Sequence, residues 1–268
     1  MRGHVEEDQS VVCGPDAVAF PQTQTQPRAR PWVGAQALRQ QLHAGPYAPA
    51  GHRRRLGRLL ARRVHEAVGG AEHLDLTVLL GSGERHGGDA VRWTVEGLAE
   101  PVTARPRRTA LPGYGTRTAH PFPFSDQHTL PRTLGAPEVT TRLCLDSRPL
   151  TATLFALRRT GLLRAARRPG VRRMLTGAFR RVHLGDDGFA IRADARQGDR
   201  HATYALTGHG QSRVTGLVAA YVTRELLTGT PPTGVHHIEQ LPTLARQPET
   251  LAAEHGVELH PLHEDPDR

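Results

Sequence analysis

The stretch GFAIRADARQGDRHATYALTGHG, residues 188–210, constrains this chain most strongly. Two runs alternate apolar and polar side chains, and the short turn QGD joins them, so the pattern predicts an antiparallel hairpin. A hairpin needs further strands and a cover before it is stable. Candidates for both flank it. LDLTVLLG, ending at Gly81, is a compact apolar run read as a strand, and EVTTRLCLD at 138–146 alternates Val139, Leu143 and Leu145 with polar residues. GGDAVRWTVEGLAE spaces Val91, Val95 and Leu98 for one helix face. SRVTGLVAAYVTRELLTG at 212–229 predicts a long helix that begins at a capping Ser212, stops at a glycine and carries Val218, Ala219, Val222 and Leu226 on its inner face. Strands alternating singly with helices, plus one hairpin, predict an α/β fold, with α+β the alternative. The expected core is a mixed sheet flanked by helices, without a complete Rossmann domain.

Other segments read less regularly. LTATLFALRRTGLLRAARR and GVRRMLTGAFRRV predict two helices broken near Pro169–Gly170, and a short helix is expected near 248–255. ARPRRTALPGYGTRTAHPFPF reads only as Pro-rich, and VVCG as a short buried strand. Residues 1–70 read as an irregular N-terminal segment, 71–262 as the α/β domain and 263–268 as a frayed tail. Within the first segment Leu56, Leu59, Leu60 and Val64 fall at helical spacing among arginines, read as a solvated helix.

Composition narrows the function classes. The formal charge is +9, but all 35 cationic Lys and Arg residues are arginine, asparagine is absent, and isoleucine occurs only at Ile191 and Ile238. That bias matches a GC-rich genome, so the charge argues only weakly for nucleic-acid binding. No apolar run approaches the roughly 20 residues that span a bilayer. Acids occupy the position of a signal peptide's apolar region, and Cys13 and Cys144 form neither a disulfide framework nor a zinc motif. A cytoplasmic protein is expected.

Candidate chemistry has a bland reading beside each sharper one. GSGERHGG at 81–88 follows a strand and opens a helix, the context in which backbone N–H groups hold a pyrophosphate, with Glu100 at a plausible distance for a ribose. Its glycines, Gly81, Gly83 and Gly87, are spaced G-x-G-x-x-x-G rather than in the strict form, and the alternative is an ordinary strand–turn–helix connection. GHGQSR at 208–213 has Arg213 where a third glycine belongs, and reads as a close helix–hairpin turn. His236 and His237 with Glu239 lack metal spacing, because neighbouring side chains diverge on either element. No metal site is expected. FSDQHTL at 124–130 places Ser125, Asp126 and His128 together, but without a nucleophile elbow it predicts a short helix capped by Ser125 and stopped at Gly135.

LLGSGERHGGDAVRWTVEGLAE, FPFSDQHTLPRTLG, VTTRLCLDSR and GQSRVTGLVAAYVTRELLTGTPPTGVHHIEQL, taken in order over about residues 70–245, resemble the carboxyl-terminal, substrate-side half of saccharopine dehydrogenase-like oxidoreductases. The resemblance implies hydride transfer to or from NAD(P), with Asp126, His128, Arg132 and Arg213 meeting a small-molecule substrate and the late helix packing on a Rossmann domain. It departs from the family in lacking an N-terminal G-x-G-x-x-G. The expectation is a truncated substrate domain, inactive without a separately encoded nucleotide-binding half and prone to dimerise through the exposed helix. The alternatives are a non-catalytic module of the same fold that holds an acidic small molecule or a partner chain, and an independent protein with a nucleotide turn at Gly81, Gly83 and Gly87.

Overall fold

In a computed structural model the chain is described at residues 53–84, 87–179 and 185–262. In order these residues form α1 (Arg53–Ala67), β1 (His73–Leu80), α2 (Gly88–Ala99), β2 (Arg107–Leu111), β3 (Gly115–Pro121), α3 (Asp126–Thr133), β4 (Glu138–Leu145), α4 (Arg148–Arg159), α5 (Pro169–Phe179), β5 (Gly188–Gln197), β6 (Arg200–His209), α6 (Gln211–Thr228), α7 (Gln247–Glu254) and β7 (Glu258–Leu262). Short 3₁₀ turns lie at Leu162–Arg167, Ile238–Gln240 and Pro242–Leu244.

The seven strands make one mixed sheet in the order β2-β3-β4-β1-β5-β6-β7. β1 and β4 run parallel, from His73 opposite Glu138 to Leu80 opposite Leu145, and the other pairings are antiparallel. This is the α/β architecture that the strand and helix periodicities predict. The β5–β6 hairpin pairs Gln197 with Arg200 across Gly198–Asp199, and Gly198 takes a positive φ that a two-residue turn demands. Among the described residues no helix is long and apolar enough to cross a membrane.

Alternation decides what each face of the sheet does. Leu74 and Leu76 of β1 with Phe189, Ile191, Ala193 and Ala195 of β5 bury one face under α1 and α6. Towards the carboxyl ends of the parallel strands, Leu80 and Leu143 on the same face pack with Trp93, Leu154, Phe155 and Leu163. The opposite face is thinner. There Leu79, Cys144 and Ala190 lie under Leu111 and Ala119, because the β2–β3 hairpin curls across the sheet, and Arg192 of β5 donates to the Ala110 carbonyl at 3.0 Å.

Helix α1 is a centrepiece of the core rather than a solvated helix. Leu56, Leu59, Leu60 and Val64 are all buried, with Leu60 and Val64 at 0% exposure, against β5 and β6. Their spacing was legible, but the arginines around them suggested solvent. Arg62 spends its charge on Glu66 at 2.7 Å and on the Glu239 and Leu241 carbonyls, while Arg63 pairs with Glu249, so the cations cover the rim of a buried stripe. The packed unit therefore includes this helix, which lies before residue 71. VVCG lies outside the described residues.

Two expected caps differ in mechanism. Ser125 precedes α3 but makes no side-chain cap bond, and its Oγ accepts instead from Arg58 Nη2 at 3.2 Å. Ser212 sits inside α6, whose N-cap is Gly210 at φ 64°, and the Ser212 amide is satisfied by the Glu84 carboxylate at 2.7 Å. ARPRRTALPGYGTRTAHPFPF contains the β2–β3 hairpin, and β7 adds an edge strand, two elements that the sequence reading left unassigned.

Candidate functional site

Among the described residues the most chemically distinctive surface is a groove that arises where the sheet splits. β3 and β4 pair only at His120–Leu143 and Pro121–Arg142, then separate towards Gly115 and Leu145. Helix α4 lies along the opening, with Arg148 Nη2 on the Thr116 carbonyl at 3.3 Å and Arg158 Nη1 on the Pro121 carbonyl at 2.7 Å, so it runs alongside β3. The cavity between them measures about 720 Å³.

Its walls follow from two periodicities. Thr116, Thr118 and His120 alternate on β3, and Arg108 on β2 pairs with Thr118, so these four share a face. On α4, Arg148, Thr151, Ala152, Phe155, Ala156 and Arg159 recur at helical spacing as one stripe, with small residues and Phe155 in the middle and a guanidinium at each end. The eleven helical rises between Arg148 and Arg159 place those ends on the order of 16 Å apart. Arg117 also lines the cavity, and its Nε is buried without a hydrogen-bond partner.

The electrostatics are one-sided. Arg108, Arg117, Arg148 and Arg159 line the groove and no aspartate or glutamate does, and among the described residues none of the four forms an ion pair. The His120 ring stacks on Phe155, with centroids 4.1 Å apart and planes 7° apart. Burial, then the Arg158 and Arg159 charges, push the His120 imidazole below its usual range, so it is neutral near pH 7. It makes no hydrogen bond with the described residues. Cys144 lies at the base, its thiol pushed up to about 12 by burial, which leaves it protonated and unreactive.

The residues singled out from sequence sit elsewhere. Asp126 is 4% exposed, and its Oδ1 accepts from Arg58 Nε at 2.7 Å. Arg58 also donates to His237 Nδ1 at 2.9 Å and lies 3.8 Å from the Glu239 carboxylate, to which Thr133 donates at 2.8 Å. This buried network ties α1 to α3 and to the 3₁₀ turn at Ile238–Gln240, which is the structural role for His237 and Glu239 beside the Pro231–Pro232 turn. His128 and Arg132 are exposed on α3, away from Asp126 because two residues of helix rotate a side chain by roughly 200°. Arg213 is exposed and donates to the His255 carbonyl at 3.0 Å.

The glycine turn has a packing explanation. A Cβ on Gly81 would overlap the Asp186 and Gly188 carbonyl oxygens, and one on Gly83 the Gly185 carbonyl, so residues 185–188 already occupy the space beside them. Gly83 N–H donates to Asp186 O at 3.0 Å, while Gly87 is the open N-cap of α2. Asp146 organises this corner by accepting from Ser82 N and Oγ, Ser147 N and Asp186 N. Nearby, Asp186, Asp187 and His209 offer atoms within 4.8 Å of one another, but all three are exposed and His209 already bonds Asp187 at 2.9 Å. Three exposed groups satisfied by one another do not define a metal centre.

Fold and groove together define an α/β domain with a groove lined by arginines. No family model matches the chain, and no curated protein is significantly similar to it. Arg108, Arg117 and His120 were missed because they sit in a segment read as Pro-rich, Arg148 because it falls just before the predicted helix, and Arg159 because it was read only as part of that helix. The detectable signal was the stripe Arg148-x₂-Thr151-Ala152-x₂-Phe155-Ala156-x₂-Arg159, in which the small Ala152 and Ala156 leave space beside the buried Thr151 and Phe155.

Proposed function

We propose that this chain is a ligand-binding α/β domain whose groove between α4 and the β2–β3 hairpin takes an acidic small molecule. The observation that carries this reading is four guanidiniums around one cavity of about 720 Å³ with no carboxylate among its lining residues. Gathered cations repel, and an anion in the groove relieves that repulsion while gaining charge-assisted hydrogen bonds. The size suits a small organic ligand.

Calorimetric titration with inorganic pyrophosphate tests it. Saturable binding is expected, weaker in high salt and at least about tenfold weaker in the Arg117→Ala/Arg159→Ala double variant. A wild-type protein that binds no pyrophosphate at low salt would overturn the reading.

A second reading is the substrate-side domain of a saccharopine dehydrogenase-like oxidoreductase, acting on a small molecule with NAD(P) held by a separate nucleotide-binding half. One feature of the fold favours it. Of the 18 residues of α6 only Gln211, Val214 and Val218 are buried, while Leu227 is 69% exposed, which leaves the helix's later turns available to a partner domain or a second copy. In this reading Asp126, His128, Arg132 and Arg213 serve the substrate, and Gly81, Gly83 and Gly87 form no complete dinucleotide site. Titration with NADPH under the same conditions is expected to show no micromolar binding by this chain alone.

A further inference from the structure

The groove contains one group that its arginines do not explain. His120 lies among guanidiniums, stacked on Phe155, with both ring nitrogens free of hydrogen bonds to the described residues. Around it stand Arg158 and Arg159 of α4, Leu143 opposite on β4, and the groove cations Arg108, Arg117 and Arg148, with no acid among them. A neutral imidazole offers one donor and one acceptor nitrogen, whereas arginine only donates. A ligand that only accepts would leave the acceptor nitrogen unused.

We infer that the groove takes a phosphate monoester with a small apolar or aromatic body, and that His120 shares one proton with its phosphate and so distinguishes phosphate from sulfate. The inference rests on the groove's being an anion site, as proposed above. A phosphate monoester loses its second proton near pH 6, so around neutrality it either brings a P–OH to the imidazole acceptor or, as a dianion, favours the imidazolium. Both forms place one proton between the same two atoms. A sulfate monoester is a fixed monoanion with no proton to share. Ala152, Ala156 and Phe155 supply the apolar wall for the ester's organic body.

Titrating the full chain with phenyl phosphate and with phenyl sulfate at pH 7.5, in buffers of different ionisation enthalpy, reads both affinity and proton uptake. Phenyl phosphate is expected to bind at least about tenfold more tightly than phenyl sulfate and to draw in a fraction of a proton. In His120→Gln the proton uptake should vanish and the preference should fall to what the phosphate's second negative charge gains from the arginines, while inorganic pyrophosphate still binds saturably and shows that the groove is intact. Equal binding of the two esters, or phosphate binding without proton uptake, overturns the inference and leaves the anion groove standing. If neither ester nor pyrophosphate binds, the groove reading falls and takes this inference with it.

Discussion

Arg58 shows how much one side chain can hold together. Its guanidinium meets Asp126 and His237 directly and lies 3.8 Å from Glu239, and the two acids are 4% and 1% exposed. Truncating it would leave both carboxylates buried without their cation, a larger loss than any surface pair could cause. Arg58→Ala is expected to lower unfolding stability by about 3–5 kcal/mol in urea denaturation, against less than about 1 kcal/mol for the exposed pair broken by Arg92→Ala. A loss at Arg58 no greater than at Arg92 would show that the network is not what joins α1 to α3. Ser125 teaches the same lesson in sequence terms. Its position before a helix advertised a cap, but a guanidinium from a residue 67 positions away claimed the hydroxyl, and spacing along the chain carries no record of such a partner.

At the scale of elements, close approach matters more than propensity. Helix α2 crosses the aromatic cluster of Trp93, Phe122 and Phe124, whose ring centroids lie 5.0–5.4 Å apart, and it does so at Gly97, where an added Cβ would run into the Phe122 ring. Phe122 is fully buried and cannot move aside. Gly97→Ala should therefore destabilise the protein by about 1–3 kcal/mol in thermal or urea unfolding, although alanine is the better helix former. A stabilised variant would mean that the helix can shift off the ring. The β5–β6 hairpin and β1 were legible because their alternation and apolar density coincide with turn residues. The β2–β3 hairpin was not, because one of its faces lines a cationic groove, so β2 opens with two arginines and β3 runs Thr116-Arg117-Thr118 where alternation would need apolar residues.

At the scale of the whole molecule, three histidines among the described residues give a pH response of one sign. His65 Nδ1 accepts from the Ala71 amide at 2.9 Å, His237 Nδ1 accepts from Arg58, and His120 stands among arginines. Burial lowers all three below the usual histidine range; Arg158 and Arg159 add to this at His120, Glu66 opposes it at His65, and at His237 Glu239 opposes it more than Arg58 adds. Each is neutral in the native state and gains its proton more readily on unfolding, so stability is full above about pH 6.5 and is lost as pH falls below it. Each contributes at most about 1.4 kcal/mol per pH unit. His209, raised by its bond to Asp187, acts in the opposite sense, but it is exposed and screened. The urea midpoint is expected to fall between pH 7.5 and pH 5, and a flat or rising midpoint would contradict the assignment. Sequence by itself determined the α/β class, most of the helices, and the central strands, because those are local periodicities that each segment must satisfy alone. Tertiary structure decided that α1 is core, that Asp126 and Glu239 face one arginine, and that Arg108, Arg117, Arg148, Arg159 and His120 share a cavity. Those residues come from three elements, β2, β3 and α4, and they meet because β3 peels away from β4 after two residue pairs, a departure from pairing that no local pattern encodes.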